Sequence, residues 1–190
     1  MDTVQIIEGC KRKEIRYQKV LYERFYGYAL KIAFRYIYRY DEAKDVVNDG
    51  FVKLFRQFDE FSYKGEDFPE QQLVVWIKQM IVNTSVHELL RNKMIPVMND
   101  IPEHVWEETD YNQKDDQALL YKELIGHLKN LSPIYRIVFN MFVIDGFTHF
   151  YIANRLGISV ADSRSNLSCA RDILKRNVSK KEDMKLAGFK

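Results

Sequence analysis

Between residues 76 and 93, aromatic, amide and cationic side chains interleave: Trp76, Lys78, Gln79, Asn83, His87, Arg91 and Lys93. Cations and amides can hydrogen-bond phosphate oxygens, an aromatic face can stack on an unstacked base, and amides can read base edges. A solvated helix face with one core tryptophan fits the same spacing, and the sequence leaves both readings open. Covalent and metal chemistry find no comparable set. No nucleophile–base pair or phosphate-binding glycine loop stands out. His87, His104, His127 and His149 share no ligand spacing with one another or with Cys10 and Cys169. The chain is therefore expected not to be an enzyme, and to carry no metal and no cofactor.

Helices must position these side chains. Residues 131–176 set the clearest pattern. Ser132 and Pro133 read as an N-cap and first helical residue, followed by Ile134, Ile137, Val138, Met141 and Phe142 at helical spacing. Thr148 can cap a short helix carrying Ile152, Ala153 and Leu156, and Gly157 supplies a positive-φ turn. Ser159 with Asp162 has the form of a capping box opening a last helix, in which Val160, Ser163, Leu167, Ala170 and Leu174 face inward. Helix, glycine turn and longer helix make a helix-turn-helix, whose second helix can enter a DNA major groove. A plain helical hairpin would show the same spacing.

Upstream, Val4–Cys10 reads as a short helix and Lys13–Tyr38 as a long one rich in aromatics, with Leu21, Phe25, Leu30, Phe34 and Ile37 buried and a bend at Gly27. Asp41–Phe58 is amphipathic without a miss: Ala43, Val46, Val47, Gly50, Phe51, Leu54, Phe55 and Phe58 inward, and Asp41, Lys44, Asp45, Asn48, Asp49 and Arg56 outward. Phe61–Pro69 is a loop, and Glu70–Asn92 a helix burying Leu73, Ile77, Met80, Ile81 and Thr84. Pro96, Pro102 and a run of acids make 96–116 a linker, Gln117–Asn130 opens a C-terminal helical domain, and 179–190 reads as a frayed polar tail.

The expected architecture is all-α: a helical domain over 1–95, the acidic linker over 96–116, a helix-turn-helix domain over 117–178, then the tail. At 190 residues and 46% hydrophobic content the chain can build such cores. No stretch approaches a membrane span and the N-terminus does not resemble a secretory signal, so membrane insertion is not expected. Two distant cysteines fit free thiols in a reducing, cytoplasmic compartment. The net charge of +2 conceals an asymmetry. Asp100, Glu103, Glu107, Glu108, Asp110, Asp115 and Asp116 face only Lys114, whereas 117–178 is basic through residues such as Arg136, Arg155, Arg164, Arg171, Lys175 and Arg176.

Two segments, in this order, resemble the extracytoplasmic-function (ECF) sigma factors of bacterial RNA polymerase. The run from Asp41 to Phe51, DEAKDVVNDGF, is similar to part of sigma region two. Trp76, Ile77, Ile81, Asn83 and Arg91 resemble the helix that follows it in that family. Leu131–Pro133, Gly146–Thr148, Ile152–Ala153, Leu156–Ser159, Ser165, Leu167, Ala170 and Arg171 match region four. The resemblance spans most of 15–177. It implies a promoter-specificity subunit acting in transcription initiation, with core RNA polymerase and promoter DNA as partners and an anti-sigma factor as a further one.

Position by position, Asp41, Asp45, Asn48, Asp49 and Arg56 would dock on the clamp helices of the polymerase's largest subunit. The Ser62–Asp67 loop with Lys64, and Trp76, Lys78, Gln79, Asn83, His87 and Arg91, would face the minus-ten element, where a base is flipped out. Ser159, Ala161, Arg164, Ser165, Asn166 and Arg171 would read the minus-thirty-five element, and the linker would thread the active-site cleft and RNA exit channel. Departures from the family pattern are Asn48 for glutamine, Phe55 for tryptophan, Tyr151 for the glutamate that would complete a capping box with Thr148, and Asn166 and Cys169 at positions that are commonly basic. Two rival readings follow: a helix-turn-helix regulator that never joins polymerase, and a degenerate sigma that binds partners without reading DNA.

Overall fold

The computed structural model describes residues 2–63, 69–91 and 123–187, with side chains through residue 177. Lys64, Lys93, the 96–116 linker, residues 117–122 and residues 188–190 lie outside the described residues. The chain divides into two units, Met1–Asp110 and Tyr111–Lys190. Every regular element among the described residues is helical.

The first unit comprises α1 (Thr3–Lys11), α2 (Ile15–Ile37), α3 (Tyr40–Arg56), a 3-10 turn (Phe58–Glu60) and α4 (Pro69–Arg91). None of α1, α2 or α3 has a side-chain N-cap hydrogen bond. Burial therefore holds them: roughly 1.5–3 kcal/mol per fully buried large apolar side chain against about 1 for a cap. The expected α2 stripe of Leu21, Phe25, Leu30, Phe34 and Ile37 is buried, and it meets Ala43, Val46, Val47, Phe51 and Leu54 of α3. Phe55, expected inside, is half-buried at the edge of this core, its ring 5.9 Å from Phe51 and 6.5 Å from Phe58. The bend expected at Gly27 is absent: α2 runs unbroken through it, because buried Phe25, Ala29 and Leu30 fix the helix on either side.

Helix α4 packs on α1, α2 and α3. It was expected to bury one face, yet Ile81, Val82, Thr84, Ser85, Val86 and Leu89 are all buried while Met80 is only half-buried. A helix with neighbours on several sides needs apolar residues on several sides. At Gly50 an added Cβ would lie 2.6 Å from Ile81 Cδ1, so α3 and α4 approach closely there.

The second unit comprises α5 (residues 123–128), α6 (Pro133–Phe139), a π-helical turn (Asn140–Ile144), α7 (His149–Leu156) and α8 (Val160–Ala187). Pro133 opens α6 as expected, but Ser132 makes no side-chain cap bond. Ile137, Val138, Met141, Ile152, Ala153, Ser163, Leu167, Ala170 and Leu174 are buried, with α6 and α7 both packed on α8. Ile134, Phe142, Leu156 and Val160, expected inside, are half-buried. The frayed tail expected from 179 is corrected: α8 continues to Ala187. No glycine or proline interrupts it, and its lysines, acids, Met184, Leu186 and Ala187 include strong helix formers. Among the described residues no helix is long and apolar enough to cross a membrane.

Candidate functional site

The first unit presents two surface chemistries. Along α3, Asp41, Asp45, Asn48, Asp49 and Arg56 are all exposed on one stripe, as their i, i+4, i+7, i+8 and i+15 spacing requires. Asp41 accepts from Lys44 Nζ at 3.0 Å, and Asn48 Oδ1 accepts from Tyr22 Oη at 2.8 Å. Asp45 and Asp49 form no ion pair among the described residues. Val52, 47% exposed, sits within the stripe. Sequence reasoning passed over it, although an apolar residue eleven places after Asp41 is a readable break in a polar face.

The second chemistry is a cleft of about 480 Å³ lined by Glu60, Phe61, Ser62, Gln71, Gln72, Val75, Trp76 and Gln79. Trp76 is half-buried. Its ring lies edge-on to Phe58 at 5.3 Å and tilted against Phe61 at 5.0 Å. It is therefore both a core contact and a cleft wall. Gln79 lines the cleft with it. Lys78, two residues along and so turned to another side of the helix, does not, and neither do Asn83, His87 and Arg91. His87 and Arg91 are exposed nearer the helix end, with Arg91 donating to Glu88 Oε1 at 2.9 Å. Glu60, Phe61, Gln71, Gln72 and Val75 are cleft residues not singled out from sequence. Gln72, Trp76 and Gln79 do share a helical face, and that was a legible signal.

In the second unit, local hydrogen bonds build the turn between α7 and α8. Thr148 Oγ1 accepts from the Tyr151 N–H at 3.2 Å. Thr148 thus keeps its own half of the capping box, and Tyr151, in place of a glutamate, stacks on Phe147 at 4.7 Å. Gly157 takes φ +67, the left-handed conformation that ends α7. Ser159 and Asp162 form the expected box: the Asp162 N–H donates to Ser159 Oγ at 3.0 Å, and the Ser159 N–H to Asp162 Oδ2 at 3.2 Å. The hydrogen bonds from Ser159 hold the Asp162 carboxyl below its ordinary range. His149 at the start of α7 shares a 2.9 Å hydrogen bond with buried Ser163 of α8 and stacks on Phe142 at 4.2 Å. Burial first, then the charges of Arg164 and Arg171, lowers the His149 pKa.

On α8 and its cap, Ser159, Ala161, Arg164, Ser165 and Arg171 are exposed, as are Ser168, Lys175 and Arg176. Asn166 is half-buried. Cys169 is half-buried too. The described residues hold no group of three His, Cys, Asp or Glu that could bind a metal ion.

Comparison with known proteins bears on both units. The family model described as sigma-70 region 2 matches residues 21–94, which include most of α2, then α3, the 3-10 turn and α4. No curated protein matches the chain. Among solved structures, CnrH in complex with the cytosolic domain of CnrY aligns with a TM-score of 0.51 at 19% identity, covering 92% of this chain and 96% of that one. The sigma factor RpoE of Bartonella quintana, in complex with the anti-sigma factor NepR, aligns with a TM-score of 0.53 at 18% identity, covering 85% of this chain and 96% of that one. At such identities the likeness is one of fold. Residues 21–94 thus match sigma-70 region 2, within a two-unit helical fold like that of CnrH and of the sigma factor RpoE.

Proposed function

We propose that the protein is a promoter-specificity subunit that joins core RNA polymerase in the cytoplasm and directs initiation without catalysing a reaction itself. The observation that carries this reading is the coincidence of the region 2 match with the α3 stripe and the aromatic cleft. In this reading Asp41, Asp45, Asn48, Asp49 and Arg56, with Val52 among them, dock on the polymerase clamp helices. Charge around an apolar contact gives such a surface both steering and desolvated area. The cleft receives a base unstacked from the minus-ten element: half-buried Trp76, backed by buried Phe61, offers an aromatic face, and the glutamines, Glu60 and Ser62 offer groups for its edge. Lys78, Asn83, His87 and Arg91 contact the neighbouring backbone. Helix α8 lies in the major groove at the minus-thirty-five element, with Ser159, Ala161, Arg164, Ser165, Asn166 and Arg171 toward DNA.

RpoE is bound by the anti-sigma factor NepR in its structure, and a partner of that kind is proposed here as the control on availability. A second reading, a sigma-like protein that occupies partners without reading DNA, draws on half-buried Asn166 and Cys169 at positions that the family pattern makes basic. Transcription from a candidate promoter with purified core polymerase separates the two. Promoter-dependent transcripts that require the protein are expected. A protein that co-purifies with core polymerase yet yields no transcript from any promoter tested would leave the second reading.

A further inference from the structure

We propose that α1 is a brace that fixes the separation of the two cleft walls. It lies outside the matched residues 21–94, so nothing in the region 2 match assigns it a task. One wall is the 59–63 segment; the other is the start of α4. Helix α1 touches both. At its first residue Thr3 Oγ1 donates to Glu70 Oε2 at 3.3 Å, and Arg24 of α2 ties the same pair, donating to Thr3 Oγ1 at 3.3 Å and to Glu70 Oε1 at 2.6 Å. Glu70 adjoins Gln71 and Gln72 of the cleft lining. At the last residue of α1, Lys11 Nζ sits 5.8 Å from the centre of the Tyr63 ring, and two residues beyond the helix Lys13 Nζ lies 3.2 Å from Asp59 Oδ2. Asp59 and Tyr63 bracket Glu60, Phe61 and Ser62 of the lining, and the Tyr63 ring lies 6.3 Å from that of Phe61.

Between these contacts Ile6, Ile7 and Cys10 are buried and hold the helix down. A helix is stiff along its axis, so a fixed length of about 1.5 Å per residue separates its two sets of contacts. The Lys13–Asp59 and Arg24–Glu70 pairs are exposed and contribute little to stability; what they and the part-buried Thr3 bonds can set is position. Lys13 carries the same implication. It adopts φ +60, where glycine would be unstrained, yet the residue present is one whose ammonium reaches Asp59.

The inference rests on the reading of the cleft as the seat of an unstacked promoter base, and its test separates the two. Trp76 and Trp106 are the only tryptophans, so Trp106→Phe in the full-length protein leaves Trp76 as the sole reporter of the cleft. In that background Thr3→Val, Lys11→Ala and Lys13→Gly together remove the polar contacts of α1 and Lys13 while leaving Arg24–Glu70 in place, and Thr3→Ser, Lys11→Arg and Lys13→Arg together conserve them. The first set is expected to keep the melting temperature and core-polymerase binding. It should raise acrylamide quenching of Trp76 and slow promoter opening by about threefold to tenfold, the scale of weak positioning contacts. The conservative set should restore both values. Unchanged Trp76 quenching in the first set overturns the brace, whatever opening does. Raised quenching with unchanged opening supports the brace and removes the base-binding assignment of the cleft.

Discussion

Gly9 and Tyr17 meet so closely that position 9 has no room for a side chain. A Cβ there would collide with Tyr17 Cγ and stand 2.8 Å from its Cβ. Tyr17 Cβ is fixed by the backbone of α2, so turning the ring about χ1 does not relieve that contact. Gly9→Ala is therefore expected to destabilise the protein by about 1–3 kcal/mol, the usual cost of overpacking. Urea unfolding measures it, and a loss below about 0.5 kcal/mol would show that α1 shifts freely. Sequence offers no sign of this contact, because nothing in the pattern of Val4–Cys10 points to Tyr17. Trp76 was half-legible for a related reason. Its spacing permitted core or surface, and only Phe58 and Phe61, brought to it by the turn after α3, make it both. Cys10 is fully buried, and burial pushes its thiol up to about 12, so it is a packing residue and not a reactive one.

At the level of elements, legibility followed how many sides a helix buries. Helix α3 has one wet face, so its 3.6-residue period ran almost unbroken from Asp41 to Phe58 and placed its exposed stripe correctly. The second half of α4 is enclosed on several sides, and the period there blurs. The π-helical turn left no trace in the sequence; it depends on bonds such as Asp145 N–H to Asn140 O at 2.9 Å, which the burial around Met141 selects. The turn between α7 and α8 was the most legible, since caps are local: Thr148, Gly157, Ser159 and Asp162 each do what their spacing announced. Ser159→Ala should accordingly cost about 1 kcal/mol. The Asp162 pKa is lowered from 3.8 by its bonds to Ser159, so the part of the effect that comes from the Ser159 hydroxyl donating to the ionised carboxylate is present above that value. It is lost as pH falls through the lower folded value. Thermal melts of both proteins at pH 7 and in acid check the sign: the difference should shrink in acid, and a difference that grows there contradicts the box.

For the whole molecule, the two units divide surface chemistry between them. The first exposes Asp45 and Asp49 without ion pairs among the described residues, and the second exposes Arg164, Arg171, Lys175 and Arg176 along α8. Their formal charges nearly cancel in the sum, which is why the net value of +2 says so little. If each unit meets its own partner, then damage to one must leave the other's binding intact, and the full-length protein can show it. Asp45→Lys with Asp49→Lys should abolish co-purification with core polymerase. Both positions are exposed, so helical content should remain, and binding of the protein itself to promoter DNA should not weaken. Arg164→Ala with Arg171→Ala should leave core binding unchanged. Each cation that meets phosphate adds about 0.9 to the salt dependence of DNA binding, so losing both should make the slope shallower by about two. A base contact at either arginine would show separately, as roughly 1–3 kcal/mol of lost discrimination between promoter and scrambled DNA. An unchanged salt slope and unchanged discrimination in the arginine double mutant, with transcription still dependent on the protein, would take α8 out of promoter recognition and leave the first unit to do the reading.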